Sequence, residues 1–328
     1  MKPLRILIWH EQNPSVIGGA ESWVADTATA LRARGHEVAW LHSTQILEAL
    51  ARFRPDRCLL GTLHNYVGLE HVERLRERGI PGVWFAHDYW PMCVPRMLMR
   101  DGNKSDLPCP AALDGECDNH CGGKLSNGSR VMRGFKVATG CEGAAAILRR
   151  HGLAVDYVVE ESVDTDLFHP ASPCAESANY VIASAAWNAP WKGMAVAEEA
   201  LVDTGLELRL LTGLSRDDVA AALREATLFV MPSLYQEIWG LALTEAMASG
   251  LACVASDVAG CRAQMHDGLG LLAPPHNPEA LRESLLWLRD HPRERREMGE
   301  RARAHVEAEH GLAAAGRRWE EVLSACAV

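Results

Sequence analysis

Twice along this chain, short apolar runs alternate with stretches of helical periodicity, and no other feature limits the fold as strongly. Leu4 to Trp9 reads as a strand. The helix expected next, over Glu21 to Arg34, carries Trp23, Val24, Thr27 and Leu31 at helical spacing, and Gly35 supplies the residue usual just past a helix end. A strand, a helix and another strand in that order build a parallel sheet. Further strands are expected at Glu37 to Leu41, Arg57 to Leu60, Gly82 to Ala86, Lys136 to Cys141 and Tyr157 to Glu160. Helices are expected between them at Gln45 to Phe53, Val67 to Arg78 and Gly143 to His151.

A second series opens at Asn179 to Ala186, after the polar, Pro-containing stretch from Ser162 to Ser177. Its strands are Leu206 to Thr212, Leu228 to Met231 and Ala252 to Ser256. Its helices lie near Met194 to Asp203, Arg216 to Ala226, Leu241 to Ser249 and Pro278 to Asp290. Arg293 to Glu309 reads as a charged surface helix, and Leu312 to Cys326 as a last helix packing back through Trp319. At roughly 150 residues per domain, 328 residues make about two domains. The expected division is 1–165, 166–310 and a returning helix at 311–328. Residues 92–133, rich in Gly, Pro, Asn and Cys, break the first series as an irregular insertion. The fold class is α/β, with two doubly wound, Rossmann-like domains facing across a cleft.

The formal charge of −10 is uneven: residues 1–150 carry +3 and residues 151–328 carry −13. A net-acidic protein without a basic stripe is poorly suited to tracking a phosphate backbone, so nucleic acid is not expected as a partner. Only Ile6 to Trp9 precede His10 and Glu11, too short for the apolar core of a secretion signal. No run of about 18 apolar residues offers a membrane span. A cytoplasmic location is therefore expected, with weak peripheral membrane contact through Arg-bearing helices of the first half compatible with its small positive charge.

In such a compartment thiols stay reduced, so the ten cysteines need another reason. Cys93, Cys109, Cys117 and Cys121, with His120, fall in the coreless insertion and suit a structural tetrahedral zinc, against unlinked thiols or disulfides. Cys58, Cys141, Cys253 and Cys261 read as small buried residues.

Doubly wound sheets bind ligands beyond the carboxyl ends of their strands. Four candidate clusters lie there. After the first strand, Gly18-Gly19-Ala20-Glu21 opens a helix whose free N–H groups favour an anion or a close-lying sugar, or simply makes a turn. After Ala86 comes His87-Asp88, either a hydrogen-bonding partner for hydroxyls or a cap on its own loop. Lys192 follows the strand that opens the second domain and suits a phosphate, though most lysines are surface residues.

The sharpest cluster runs from Pro232 to Gly250. Leu241 to Ala248 is apolar nearly all round and so must be buried, yet it contains Glu245, which needs hydrogen-bond donors there. Glu237 precedes the same helix. A carboxylate, a helix start and a second carboxylate one turn inside fit sugar hydroxyls, a diphosphate and a ribose, with a structural ion pair the rival for each Glu. The stretch Gly268-x-Gly270-x-x-Ala273 superficially matches a dinucleotide fingerprint, but Pro274 and Pro275 stand where its helix should begin.

Pro232 to Gly250, with Ala252 to Gly260 and Asp267 to Pro275, closely resembles the retaining glycosyltransferases of family 4, glycosyl transferases group 1, which have the GT-B architecture. Two glutamates with seven residues between them are that family's signature. Gly18-Gly19-Ala20-Glu21, His87-Asp88 and Ser162-Val163-Asp164 with Phe168 and Pro170 extend the resemblance over nearly the whole chain.

The resemblance implies a hexosyltransferase that moves a sugar from a nucleotide-diphosphate donor to an unidentified acceptor hydroxyl, with the anomeric configuration retained and no catalytic cofactor. It implies catalytic roles for His87, Lys192 and Glu237. It implies donor contacts from Gly18, Gly19, Asn188, Lys192, Glu237, Ile238, Trp239, Gly240, Leu241, Thr244 and Glu245: sugar hydroxyls on Glu237, diphosphate on the backbone of Trp239 to Leu241, ribose on Glu245. One departure stands out. The Arg usual a few residues before the lysine is absent from Ala185-Ala186-Trp187-Asn188, and, as a milder second departure, Gln264 stands where a Glu is common. A non-catalytic relative and a sugar epimerase of the same architecture are the rival readings.

Overall fold

In the computed structural model the described residues are 2–10, 18–41, 46–62, 67–89, 132–171, 180–184 and 189–326. Cys93, Cys109, Cys117, Cys121 and Asn188 lie outside them. The chain divides into two units. Described residues up to Glu161 form one, together with those from Leu312 onward; Ser162 to Gly311 form the other.

The first unit holds strands β1 (Arg5–Trp9), β2 (Glu37–Leu41), β3 (Arg57–Leu60), β4 (Gly82–Ala86), β5 (Lys136–Thr139) and β6 (Tyr157–Val158), in the order β2-β1-β3-β4-β5-β6. Every pairing is parallel, with Leu7 between Ala39 and Cys58. Helices α1 (Gly19–Ala33), α2 (Ile46–Phe53), α3 (Val67–Glu77) and α4 (Glu142–Arg150) connect them. Gly-Val-Trp-Phe-Ala of β4 is buried throughout, as a strand covered on both faces requires. The strand expected through Cys141 stops at Thr139, because Cys141 turns to cap α4, its Sγ accepting from Ala144 N at 3.4 Å.

The second unit holds β7 (Tyr180–Ser184), β8 (Glu207–Leu211), β9 (Leu228–Met231), β10 (Ala252–Ser256) and β11 (Leu271–Ala273), all parallel in the order β11-β10-β9-β7-β8. Its helices are α5 (Met194–Leu201), α6 (Arg216–Glu225), α7 (Leu241–Ala248), α8 (Ala259–Gln264), α9 (Pro278–Asp290) and α10 (Pro292–His305). A π-turn, Val306–His310, follows α10. The rejected dinucleotide match leads into β11 instead of leaving a strand for a helix, which agrees with its rejection.

The last helix, α11 (Leu312–Ala325), returns to the first unit. Its Trp319 packs edge-on against Trp23 of α1 and Phe85 of β4, ring centroids 5.8 and 5.7 Å away. Gly316 permits the approach, since a Cβ there would stand 2.9 Å from Ala30 O. Among the described residues no helix is long and apolar enough to cross a membrane.

Both sheets reverse their strand order once, between β1 and β3 in the first and between β7 and β9 in the second. Chains leave such a point in opposite directions and open a crevice at the carboxyl edge.

Candidate active site

In the second unit, the loops after β7 and β9 meet at this reversal. The chain after β7 makes a short 3-10 turn, Pro190–Lys192, and then Gly193 in the left-handed region at φ 71°. A Cβ on Gly193 would overlap Pro232 O, so only glycine lets the two loops touch. Leu234 N donates to Trp191 O at 2.8 Å and ties them.

The joined loops bring together two residues 45 positions apart. Lys192 Nζ lies 3.0 Å from Glu237 Oε1 and 3.3 Å from the Tyr235 hydroxyl. Ser233 Oγ donates to the same Oε1 at 2.6 Å, and the Tyr235 hydroxyl donates to Oε2. Glu237 is 4% exposed, so its charge is stable there only because three groups of its own unit hold it. The Lys192 side chain keeps 21% of its surface and so retains a face for another anion.

Helix α7 begins at once after this carboxylate. Gly240, its N-cap, sits at φ 101°, and every residue of the helix except Ala242 is buried, including Glu245 at 8% exposure. The first N–H groups of a helix have no partner within it, and together with its dipole they favour an anion. Among the described residues, no hydrogen-bond acceptor stands on the N–H of Trp239, Gly240 or Leu241. The opposite end is neutralised: Arg303 donates to Ala248 O at 2.6 Å, to Phe168 O at 2.5 Å and to Thr165 O at 3.1 Å. Thr244 accepts from Trp239 Nε1 at 2.9 Å and donates to Gln264 Oε1 at 2.8 Å.

In the first unit the corresponding reversal centres on His10, which follows β1 and is 1% exposed. Thr62 N donates to its Nδ1 at 3.1 Å. The ring proton therefore sits on Nε2, which faces Glu21 Oε1 at 3.3 Å. Glu21, in the first turn of α1, folds back on Gly18, where a Cβ would overlap its Oε2. Gly18 has an extended backbone at φ −155°, so the glycine is required by space and not by conformation. The start of α1 thus already meets a carboxylate of its own. That charge disfavours an anion at Gly18-Gly19 and leaves the sugar half of the expectation.

His87 follows β4, with Nδ1 3.9 Å from Glu161 Oε1. Trp23 and Phe85 present edges or faces to its ring at 4.6 and 4.7 Å. Trp23 in turn stacks on Phe85 at 5.1 Å, so His87 is placed by a packed aromatic pair.

Cys58, Cys141, Cys253 and Cys261 are buried, as expected of small core residues, and burial pushes the thiols of Cys58, Cys141 and Cys253 up. Among the described residues no group of three or more His, Cys, Asp or Glu side chains is arranged to hold a metal ion. The four cysteines assigned to zinc lie outside those residues.

The sequence reading missed His10, Ser233 and Tyr235, and met Gln264 only as a departure from the resemblance. The first follows a strand at its carboxyl edge, and the next two are hydroxyls within four residues of Glu237, so both signals were present. Gln264 gave only that departure, because a lone amide in a short helix carries no pattern that shows its partners.

The model of one family, described as glycosyl transferases group 1, matches residues 198–305. Over that stretch the chain is similar to this family. The D-rhamnosyltransferase WbpZ of Pseudomonas aeruginosa is 33% identical over 91 residues, 27% of this chain and 24% of that protein. The chain spans between 18% and 43% of the length of the curated relatives it matches. The GT-B architecture is shared with solved structures that match nearly the whole chain in fold. A sucrose-phosphate synthase from Thermosynechococcus elongatus superposes with a TM-score of 0.75 at 16% identity, covering 97% of this chain and 98% of that one. HepE from Anabaena, solved in complex with UDP-glucose, gives 0.72 at 14% identity, covering 98% and 100%.

Proposed function

We propose that this protein transfers a sugar from a nucleotide-diphosphate donor to an acceptor hydroxyl, with retention at the anomeric carbon. The observation that carries this is the Lys192–Glu237 pair, 3.0 Å apart at the strand reversal of the second sheet, beside the open start of α7. The family match over residues 198–305 and the likeness to HepE, whose structure holds UDP-glucose, support an activated-sugar donor.

In this reading the diphosphate rests on the backbone of Trp239, Gly240 and Leu241. Glu245 takes the ribose hydroxyls, while Ile238, Thr244, Asn188 and the Gly18-Gly19 loop complete the donor contacts. Glu237 orients Lys192 and accepts sugar hydroxyls on whichever oxygen the ligand frees from Tyr235. As the bond from the anomeric carbon to phosphate oxygen breaks, charge grows on the leaving phosphate and Lys192 neutralises it; such preorganised charge is usually the largest catalytic term. The acceptor oxygen attacks from the same face, and its proton passes to the departing phosphate oxygen. His87 contacts the donor sugar near the reacting carbon. No cofactor is assigned to the chemistry, and zinc in the 92–133 insertion would be structural.

A thermal-shift screen of nucleotide-sugars tests the donor assignment. A ligand at 100 times its Kd stabilises the folded state by about 2.7 kcal/mol, so one member should raise Tm by several degrees. A flat response to UDP-, GDP-, ADP- and dTDP-sugars overturns it. The triple hydrogen bonding of Glu237 within its own unit favours the rival of a non-catalytic relative. Acceptor-dependent release of nucleoside diphosphate that Glu237→Ala abolishes excludes that rival; free sugar released without acceptor would instead indicate an epimerase.

A further inference from the structure

Gln264, the last residue of α8, is 1% exposed and makes more hydrogen bonds than any role so far described requires. Its Nε2 donates to Trp239 O at 2.5 Å and lies 3.3 Å from Gly260 O and 3.4 Å from Gly240 O. Its Oε1 accepts from Thr244 Oγ1, which accepts from the Trp239 indole, so the chain of bonds runs from the backbone of Trp239 through Gln264 and Thr244 to the side chain of Trp239. The ring closes on one residue and fixes it at both ends.

The consequence follows from the planarity of the peptide group. In a trans peptide the C=O of one residue and the N–H of the next point in opposite directions across one rigid plane. Drawing the carbonyls of Trp239 and Gly240 onto Gln264 therefore turns the N–H groups of Gly240 and Leu241 away from it, out of the core. Those are the N–H groups at the start of α7. Gly240 can hold this orientation because its φ of 101° is open to glycine. Gly260 supplies the room, since a Cβ there would overlap Trp239 O.

We propose that Gln264 is the positioning residue of the donor site: it touches no substrate, but aims the two backbone donors that receive the diphosphate. The inference rests on the donor reading above. An amide is needed because the group must donate to carbonyls and accept from Thr244 at once. A carboxylate of the same shape would set negative oxygens against three carbonyls and leave those peptides free to turn. Protonated, it would recover one donor, and burial against acceptors favours the protonated form.

The test uses the full chain and Gln264→Glu, titrated calorimetrically with UDP-glucose and GDP-mannose, whose phosphates do not titrate between pH 6 and 8. The variant should bind at least tenfold more weakly than the native protein at pH 8, and the gap should narrow severalfold at pH 6. In the ligand-free variant labelled with nitrogen-15, the Trp239 indole N–H resonance should move and titrate over the same range. Thr244→Val breaks the ring at a second point, and in the ligand-free protein it should shift the backbone amide resonances of Gly240 and Leu241, a readout independent of any donor contact; unchanged resonances there overturn the positioning role if the first variant does not fold. Native protein that binds either donor, with Gln264→Glu binding it equally at both pH values, overturns the role of Gln264 alone. Native protein that binds neither overturns the donor reading, and the inference falls with it.

Discussion

The loops at the two strand reversals have the same topology and opposite electrostatics. In the second unit, Glu237 is held by the cation Lys192, and the helix start that follows, at Leu241, keeps its N–H groups open. In the first, Glu21 lies on the helix start itself and is held by His10, whose other ring nitrogen accepts from Thr62 N. One edge is built to accept negative charge, and the other already contains it. A doubly wound sheet thus fixes where a ligand binds, while one carboxylate and its partner decide which charge is admitted.

The largest effect is expected at the cation. Lys192→Ala should lower turnover by about 100- to 1000-fold, the loss typical of one preorganised charge-stabilising group, while the acceptor KM stays nearly constant. Steady-state kinetics showing the reverse split would place Lys192 on the acceptor and erase the contrast. At the other edge Glu21→Gln, which loosens the Gly18-Gly19 loop, should raise the donor's KM severalfold and leave turnover nearly unchanged; a loss of turnover as large as that of Lys192→Ala would mean that both edges stabilise charge in the reaction.

The scaffolds behind the edges sharpen the contrast with smaller shifts. Arg303→Ala strips three carbonyl partners from the back of α7 and its flanking turn, and should cost about 1–3 kcal/mol, read as a lower Tm. Behind α1, Glu320 joins α11 to Arg34 and His36. Burial pushes its carboxyl up, but the hydrogen bond and charge of Arg34 outweigh that and hold it below its ordinary 4.5. A carboxyl depressed in the folded state stabilises fully above its unfolded value and loses that contribution as acid protonates it. Melting temperature should therefore fall as pH drops below 4.5 through the folded value, and Glu320→Gln should flatten that slope.

Long, periodic elements were readable from residues alone: β3, β4, β9, β10, α9 and the buried helix around Glu245 stand where apolar runs and caps placed them. Glu237 and Lys192 were found separately, each after a strand, but nothing in their spacing showed that they touch. That contact depends on Gly193 meeting Pro232, a tertiary approach. The three residues of β11 are too few to show a period, and the six of α8, with Gly260 near their start, lack a strong helical pattern. The π-turn after α10 carries ordinary helical residues, Val-Glu-Ala-Glu-His, so its extra residue per turn leaves no trace in composition. His10 was passed over because a single histidine beyond a strand gains meaning only when Thr62 and Glu21 converge on its two nitrogens.

The return of α11 also sets an order of assembly. Trp319 and Leu323 fill the core beneath β1 and β4, so on the ribosome the earlier-made half must wait, its apolar face open, until a helix encoded some 150 residues later has emerged. By then Ser162 to Gly311 have long been available to fold. Chaperone engagement should accordingly concentrate on the half synthesised earlier, and a deletion that removes α11 should damage the unit built from residues up to Glu161.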